Sequence, residues 1–304
     1  MADQPDTRPA SRGRIVSRRT LLGAGALAAV GVAAGAAGVE QGILPGRSWL
    51  YAHLGLDGRD GQLPDVRPGQ VISGSFVSRR RNGVRCGWSI GYPPGNTTDL
   101  PVLVVLHGRG GNHSSAFGND LGLQYYLAQL TATGKRPFAI ASVDGGDTYW
   151  HQRRTGENSG AMVTDELLPM LRTRGLRTNR IALLGWSMGG YGALLLAGML
   201  GSARVSTCVA ESPALWLHAG DTAPGAFDDA ADYTAHTVFG HQQDLRGIAV
   251  RVDCGTGDGF INAAEHYVKG FPRRPAGEFS AGGHTLGYWR RMAPAQLAFV
   301  SDNI

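Results

Sequence analysis

The chain has 304 residues, and its 42% hydrophobic share is typical of globular proteins, which excludes disorder over the whole length. Its 46 glycines follow no fixed period, which excludes a collagen-like chain, and the single long uncharged stretch near the N-terminus excludes a polytopic membrane protein. The net charge is +5, but the basic residues are scattered, and Arg79-Arg80-Arg81 is interpreted as a solvated hairpin turn, so nucleic-acid binding is not expected.

The N-terminal residues have the layout of an export signal. Ser17-Arg18-Arg19 precedes an uncharged run of Ala, Gly, Val and Leu from Leu21 to Val39. A basic region before a weakly apolar run is typical of signal peptides, and the arginine pair resembles a twin-arginine signal. We therefore interpret residues 1–40 as a targeting segment and residues 41–68 as a linker, and we expect secretion or residence in the cell envelope. An uncleaved membrane anchor and a buried Gly/Ala helix stay open as alternatives.

Most of the predicted strands that follow are continuous apolar runs. A hairpin of alternating strands is predicted first, over 69–78 and 84–92. The apolar runs are Val102–Leu106, Phe138–Val143, Ile181–Leu184, Val205–Ala210 and Ile248–Val252. Such runs indicate strands buried on both faces, and therefore a mostly parallel sheet.

Helical patterns separate these strands. They cover Leu121–Thr131, Ser159–Arg174, Tyr191–Leu200, Asn262–Lys269 and about Pro294–Val300. Alternating strands and helices predict one catalytic domain, residues 69–304, with a three-layer α/β fold: a mostly parallel central sheet with helices on both faces. Residues 211–246 lack a strand pattern and are interpreted as an insertion over the strand ends, a candidate lid.

The strongest functional signal is Gly185-Trp186-Ser187-Met188-Gly189, which fits G-x-S-x-G. It lies between a predicted strand and a predicted helix, and this is the setting that a nucleophile elbow requires. The turn is strained, so the flanking positions need glycine. The alternative is a glycine-rich turn whose serine is inert. A serine hydroxyl becomes nucleophilic only beside a general base, which in turn needs an orienting carboxylate.

In this fold the acid and then the histidine follow the serine along the chain. Asp258 lies in a glycine-rich loop after the Ile248–Val252 strand and is favoured over Asp253, which lies at the strand end itself. His284 precedes the last helix and is the predicted base. The other histidines after the serine are interpreted as surface or lid residues: His218, His236, His241 and His266.

An oxyanion hole needs backbone N–H groups that point at the developing charge. One is expected from Met188, directly after the serine. The second is expected from Arg109, in the Gly-rich loop after the Val102–Leu106 strand, with Gly108 and Gly110 as alternatives.

Several motifs resemble those of the esterase D-like family of α/β hydrolases, which includes feruloyl esterases, S-formylglutathione hydrolases and secreted mycolyltransferases. The resemblance covers about residues 70–300. It implies the α/β-hydrolase fold and Ser187, Asp258 and His284 as the catalytic triad, but no single substrate. The matching pieces are Leu106-His107-Gly108-Arg109-Gly110-Gly111, Asp144-Gly145-Gly146, Tyr149-Trp150-His151, Glu166-Leu167-Leu168-Pro169, Gly185-Trp186-Ser187-Met188-Gly189-Gly190, Glu211-Ser212-Pro213, Gly257-Asp258 and Gly282-Gly283-His284-Thr285 with Tyr288-Trp289.

Other side chains are predicted to line the substrate pocket. They are His107, Asp147, Tyr149, Trp150, Trp216 and Phe260. Packing beside the site is the alternative for these residues. Cys208 and Cys254 are weighed as a disulfide pair, with Cys86 as a buried thiol. No metal or organic cofactor is expected, because no group of ligands has suitable spacing along the sequence.

The sequence therefore predicts an exported serine carboxylic-ester hydrolase that forms an acyl-enzyme on Ser187. Its expected partner is a small-molecule, lipid or carbohydrate ester, with membrane contact only through an uncleaved N-terminal segment. Two alternatives are kept: an acyltransferase that moves the acyl group to a sugar or lipid hydroxyl of the cell envelope, and a non-enzymatic binding protein on a hydrolase scaffold.

Overall fold

Eight strands form one sheet in residues 47–304, the part of the chain that this computed structural model describes. The predicted export signal lies outside the described residues. The strands are β1 (Val71–Ser78), β2 (Val84–Gly91), β3 (Pro101–Leu106), β4 (Ala139–Val143), β5 (Arg177–Trp186), β6 (Val205–Glu211), β7 (Ala249–Gly255) and β8 (Phe279–Ser280). Their order across the sheet is β1-β2-β4-β3-β5-β6-β7-β8.

The sheet is antiparallel at one edge and parallel over the rest. Strand β2 pairs antiparallel with both β1 and β4, whereas β4, β3, β5, β6, β7 and β8 pair in parallel. Parallel strands need crossover connections, and helices supply most of them here. The α-helices are α1 (Arg47–His53), α2 (Leu123–Ala132), α3 (Ser159–Met162), α4 (Leu168–Thr173), α5 (Met188–Leu200), α6 (Ala230–His236), α7 (Ile261–Lys269) and α8 (Leu286–Asn303).

Apolar side chains cover both faces of the sheet. In β3, Leu103 and Val105 point to one face and pack with α2 and α8, while Val102 and Val104 point to the other face and pack with α5. Every residue of β3 is buried, which is the pattern expected for a parallel strand between two helical layers. The predicted three-layer α/β fold is confirmed.

Two predicted helices differ from the observed ones. The last helix was predicted to begin at about Pro294, but α8 begins at Leu286, where the Thr285 hydroxyl accepts the Tyr288 N–H at 3.3 Å. The prediction placed Pro294 at the first helical position, where proline is common. In the structure Pro294 lies inside the longer helix α8. The predicted helix 159–174 is interrupted by a π-helical stretch, Val163–Leu167, between α3 and α4.

Two further predictions are corrected. Arg81 is not solvated: it is 8% exposed, forms an ion pair with Glu157 at 2.7 Å and donates to the Asp144 carbonyl at 2.8 Å. The three cysteines are free and buried. Cys208 lies opposite Val250 in the sheet, so Cys254, further along β7, is out of register with it.

Residues 48–68 were interpreted as part of a linker, but they belong to the same compact unit as the sheet, Ser48–Ile304. The Gly61 N–H donates to the Gly287 carbonyl at 2.8 Å, and the Tyr126 hydroxyl donates to the Gln62 carbonyl at 2.9 Å. Leu63 packs against the core next to α2. Across residues 47–304, no helix has both the length and the apolarity that a bilayer crossing would need.

Candidate active site

Ser187 lies at the sharp turn between β5 and α5. Its backbone is left-handed, with φ +56° and ψ −121°, a conformation that a non-glycine residue keeps only when its surroundings hold it there. The Ser187 N–H donates to the Glu211 carbonyl at 3.0 Å, and its own carbonyl accepts from the Ala214 N–H at 2.9 Å. These bonds tie the turn to the end of β6 and hold the strained backbone in place.

The two glycines of the turn allow close backbone approach. A Cβ on Gly185 would lie 2.1 Å from the Gly189 carbonyl oxygen, and a Cβ on Gly189 would lie 1.9 Å from the Leu106 carbonyl oxygen. Neither separation is sterically possible, so the strand–turn–helix geometry requires glycine at both positions. This is the physical reason for the G-x-S-x-G pattern in this chain.

The three side chains predicted as a triad form one hydrogen-bonded chain. His284 Nε2 lies 2.9 Å from Ser187 Oγ, and His284 Nδ1 lies 2.8 Å from Asp258 Oδ2. The other Asp258 oxygen accepts the Phe260 N–H at 2.9 Å, and the Asp258 side chain is fully buried. A carboxylate there favours a proton on Nδ1, which leaves the Nε2 lone pair facing the serine hydroxyl.

Asp253, the rejected alternative, serves another purpose. Its carboxylate binds Arg251 Nε at 2.7 Å, Gln296 Nε2 at 2.9 Å and the Glu278 N–H at 2.8 Å. It therefore joins β7 to α8 and to the loop before β8, and its oxygens are committed to those bonds.

The loop after β3 lies directly against the serine. A Cβ on Gly108 would lie 3.3 Å from Ser187 Cβ. The Gly110 N–H is already used by Asp147 Oδ1, at 2.7 Å. This bond removes Gly110 as an oxyanion donor. The Met188 N–H belongs to the first turn of α5, where backbone N–H groups have no acceptor within the helix.

His107 supports this loop from behind rather than lining the pocket. It is fully buried, its Nδ1–H donates to the Gly108 carbonyl at 2.8 Å, and its Nε2 accepts the Gly145 N–H at 2.9 Å. Burial lowers the pKa of His107, so the neutral ring is favoured. The pocket prediction for His107 is wrong because both ring nitrogens are bonded to backbone groups.

The bond from Asp147 to Gly110 predicts a catalytic effect of a residue that is not in the triad. Asp147→Ala removes the acceptor and loosens the loop that carries Arg109, so kcat should fall about 10-fold with KM little changed, because misplacing transition-state donors is costly. Asp147→Asn keeps an acceptor oxygen and should retain most of the activity. Steady-state kinetics of both variants on one ester test this prediction. Equal activity of Asp147→Ala and wild type would show that the bond to Gly110 does not support catalysis.

A cavity of about 320 Å³ opens beside Ser187 and His284. Its walls combine the loop after β3, the polar residues Ser115 and Asp120, and several apolar side chains. The apolar part of the lining is Leu121, Trp186, Leu286 and Trp289. Sequence reasoning missed this wall, although Trp186 immediately precedes the serine. The rings of Trp186 and Trp289 lie 6.2 Å apart.

The predicted aromatic pocket residues lie elsewhere. Trp150 is 1% exposed and packs against Gly145 and Gly192, where a Cβ would collide with the indole, so it is a core residue. Tyr149, Trp216 and Phe260 form a separate row of rings that reaches His284. The ring centroids are 5.7 Å, 5.5 Å and 5.3 Å apart along this row.

A second carboxyl lies behind the serine and was not predicted. Glu211, at the end of β6, is fully buried. Burial raises the pKa of Glu211 well above its usual range, and the nearby Asp253 carboxylate acts in the same direction. The folded protein therefore keeps the Glu211 proton to higher pH than the unfolded chain, in which a glutamate ionises above about pH 4.3.

This difference predicts how stability depends on pH. Because the folded state keeps a proton that the unfolded state loses, the Glu211 contribution is full below about pH 4.3 and falls as pH rises toward the raised pKa, by up to about 1.4 kcal/mol per pH unit. Glu211→Gln removes this term. Urea unfolding at several pH values from 4 to 8 should show the variant gaining stability over wild type with rising pH, and parallel profiles would contradict a raised pKa of Glu211.

Comparison with known proteins decides the family. Residues 89–299 match the family described as "Putative esterase". This chain belongs to that esterase family. The resemblance based on sequence motifs is therefore confirmed, and with it the assignment of the chain as a serine ester hydrolase. No curated protein matches the sequence significantly.

Solved structures show that the esterase shares its fold with other ester hydrolases. A ferulic acid esterase is 19% identical, with a TM-score of 0.65 over 78% of this chain and 99% of that one. An S-formylglutathione hydrolase from Agrobacterium tumefaciens is 16% identical, with a TM-score of 0.64 over 81% and 99%. A ferulic acid esterase from Anaeromyces mucronatus, in complex with ferulic acid, is 17% identical, with a TM-score of 0.62 over 81% and 94%.

Proposed function

We propose that this esterase is an exported carboxylic-ester hydrolase that acts through Ser187, His284 and Asp258 and a covalent acyl-enzyme. The observation that carries the proposal is the continuous chain of hydrogen bonds from the buried Asp258 through His284 to a serine on a strained turn. Such a chain gives the hydroxyl a base and gives the base a fixed tautomer.

In the first half of the reaction, His284 Nε2 takes the Ser187 proton while Oγ bonds to the ester carbonyl carbon. Asp258 stabilises the resulting imidazolium, and the backbone N–H groups of Met188 and Arg109 hydrogen-bond to the oxyanion. When the tetrahedral intermediate collapses, the carbon–oxygen bond to the alcohol breaks, and the alcohol leaves with the proton from His284. Water then attacks the acyl-enzyme with His284 again as base, which releases the acid and restores Ser187.

The cavity supports a substrate with a compact apolar group. At about 320 Å³ it lies at the small end of ligand pockets, and two indoles and two leucines line it. The Anaeromyces mucronatus esterase structure holds ferulic acid, an aromatic acid, which supports an aromatic group as one candidate occupant. We therefore expect esters with an aromatic or short acyl or alcohol group to be preferred over long-chain lipid esters.

Export is proposed on the sequence alone. The pair Arg18-Arg19 before the uncharged run supports a twin-arginine route, with the enzyme acting outside the cytoplasm or in the cell envelope. Cell fractionation of the full chain tests it, because Arg18→Lys with Arg19→Lys should keep the charge but leave the enzyme in the cytoplasm. Unchanged export of that double variant would refute the twin-arginine route.

Hydrolysis of p-nitrophenyl esters from acetyl to palmitoyl by the full chain tests the activity. We expect turnover with an optimum at short chains, and mass spectrometry of a rapidly quenched reaction should find the acyl group on the Ser187 peptide. No turnover and no serine modification would refute the hydrolase and favour a binding protein. A transfer product that exceeds the free acid when a carbohydrate is added would favour an acyltransferase.

A further inference from the structure

Within residues 47–304, one group of His and Asp side chains lies outside the active site with its possible ligand atoms close together: His151, Asp232 and His236. All of these atoms lie within 4.8 Å of one another. His151 Nε2 is 3.2 Å from one Asp232 oxygen, and His236 Nδ1 is 2.8 Å from the other. One carboxylate is thus shared by two imidazoles from different parts of the chain.

The backbone prepares these side chains for a common ligand. His151 Nδ1 donates to the Tyr149 carbonyl at 3.1 Å, and Nε2, 3.2 Å from an Asp232 oxygen, is the ring nitrogen that faces the carboxylate. A ring N–H bonded to a backbone carbonyl is the usual arrangement of a histidine that binds a metal through its other nitrogen. Asp232 and His236 are one helical turn apart in α6, so both face the same side of that helix.

Burial and charge also favour a cation. The side chains of His151 and Asp232 are only 1% and 12% exposed. Among the described residues, these two imidazoles are the ion-pair partners of the Asp232 carboxylate, which also accepts the Asp228 N–H at 2.7 Å. The nearby Arg153 is paired with Asp228 at 2.8 Å. A bound cation would compensate the charge of this largely buried carboxylate.

We propose that His151, Asp232 and His236 form a binding site for a divalent transition metal ion of the zinc type. Two imidazoles and one carboxylate are a ligand set that suits Zn²⁺, whereas Ca²⁺ and Mg²⁺ favour oxygen ligands alone. The possible ligand atoms lie within 4.8 Å of one another, and bonds of about 2.0–2.2 Å to a common ion would draw them together around it. His151 and His236 also line a cavity of about 240 Å³, from which water can supply a fourth ligand.

The ion would act as a structural link to the active site, not as a catalyst. His151 follows Tyr149 and Trp150, which have consecutive left-handed backbones with φ +55° and +60°. Helix α6 belongs to the segment between β6 and β7 that also carries Trp216, and the Tyr233 hydroxyl of α6 donates to the Trp216 carbonyl at 2.6 Å. Metal binding would therefore fasten this segment to the strained turn and fix the row of rings beside His284.

Zinc titration of the full chain, prepared without a polyhistidine tag and stripped with a chelator, tests the proposal. We expect one Zn²⁺ per chain by calorimetry, and a visible absorption band of tetrahedral type when Co²⁺ is used instead. Asp232→Asn and His236→Gln should each weaken binding by at least about 10-fold. Zinc should raise the melting temperature of wild type but not that of Asp232→Asn, a nearly isosteric change that can keep the local fold.

Two control variants locate the site. His241 pairs with Asp244 on the same segment but is exposed, so His241→Gln should bind zinc as wild type does. His284→Gln removes the imidazole of the active site and should also retain zinc binding, whatever its effect on ester hydrolysis. Absence of stoichiometric binding, or binding that is lost in His284→Gln and kept in Asp232→Asn, would overturn the proposal.

Discussion

Ser187→Ala is expected to lower kcat for ester hydrolysis by about 10⁵- to 10⁶-fold, the order of magnitude found when the nucleophile of a serine-hydrolase triad is removed. In the proposed mechanism the serine oxygen bonds to the carbonyl carbon, and this oxygen lies 2.9 Å from His284 Nε2. Residual activity should come from the oxyanion donors and from substrate binding, which the variant keeps. The measurement is kcat and KM on a p-nitrophenyl ester.

The same reasoning predicts that the triad acts as a unit. His284→Gln alone should reduce kcat by a similar factor, and the double variant should be no worse than either single variant, because a base without its nucleophile contributes nothing. Ser75→Ala, at an exposed position of the edge strand β1, is the matched control and should retain full activity. If the loss of kcat in the double variant equalled the product of the two single losses, the two residues would act independently, and the prediction would be wrong.

Gly189→Ala should destabilise the fold severely, by about 3 kcal/mol or more, since the added methyl group would overlap backbone rather than a movable side chain. The Cβ would lie 1.9 Å from the Leu106 carbonyl oxygen and 2.8 Å from that of His107. Relief of this overlap would require α5 to move away from β3, which also displaces Ser187. The measurement is urea unfolding at neutral pH, together with ester hydrolysis by the folded fraction.

Gly198→Ala provides the matched control in the same helix. Its Cβ would lie 3.6 Å from Asp244 Cβ, an ordinary contact, so helix propensity should dominate and stability should rise by up to about 1 kcal/mol. Opposite signs for the two variants would show that the requirement at Gly189 is steric. A loss of stability in both would mean that the helix tolerates no added methyl group, whatever its position.

The three side chains of the proposed triad could be located from the sequence because each belongs to a local sequence pattern. A serine with a glycine two positions before and after it, between an apolar strand and a helix, is typical of a nucleophile elbow. The loop after β7 brings Asp258 to the same edge of the sheet. Parallel strands end at a common edge, so the loops that follow them converge there whatever their distance along the chain. Chain order then limited the choice of base to a few histidines.

Features that depend on long-range packing could not be predicted in the same way. The burial of Arg81 follows from contacts with Glu157 and the loop after β4, far along the chain. His151 and His236 come together only because α6 folds back against the strained turn, and nothing in their spacing indicates it. In the sequence, Glu211 is only a carboxyl at the end of a strand, and the raised pKa depends on the layers that bury it.

The reaction of the three unpaired thiols with a thiol reagent can be used to follow unfolding. Burial raises the pKa of Cys86, Cys208 and Cys254, so their sulfurs are neither ionised nor accessible in the folded molecule. A thiol reagent should react only as fast as the structure opens, which gives opening rates without any added label. Because no sulfur–sulfur bond is needed, the molecule can reach its final state in a reducing compartment, as twin-arginine transport of folded cargo would demand.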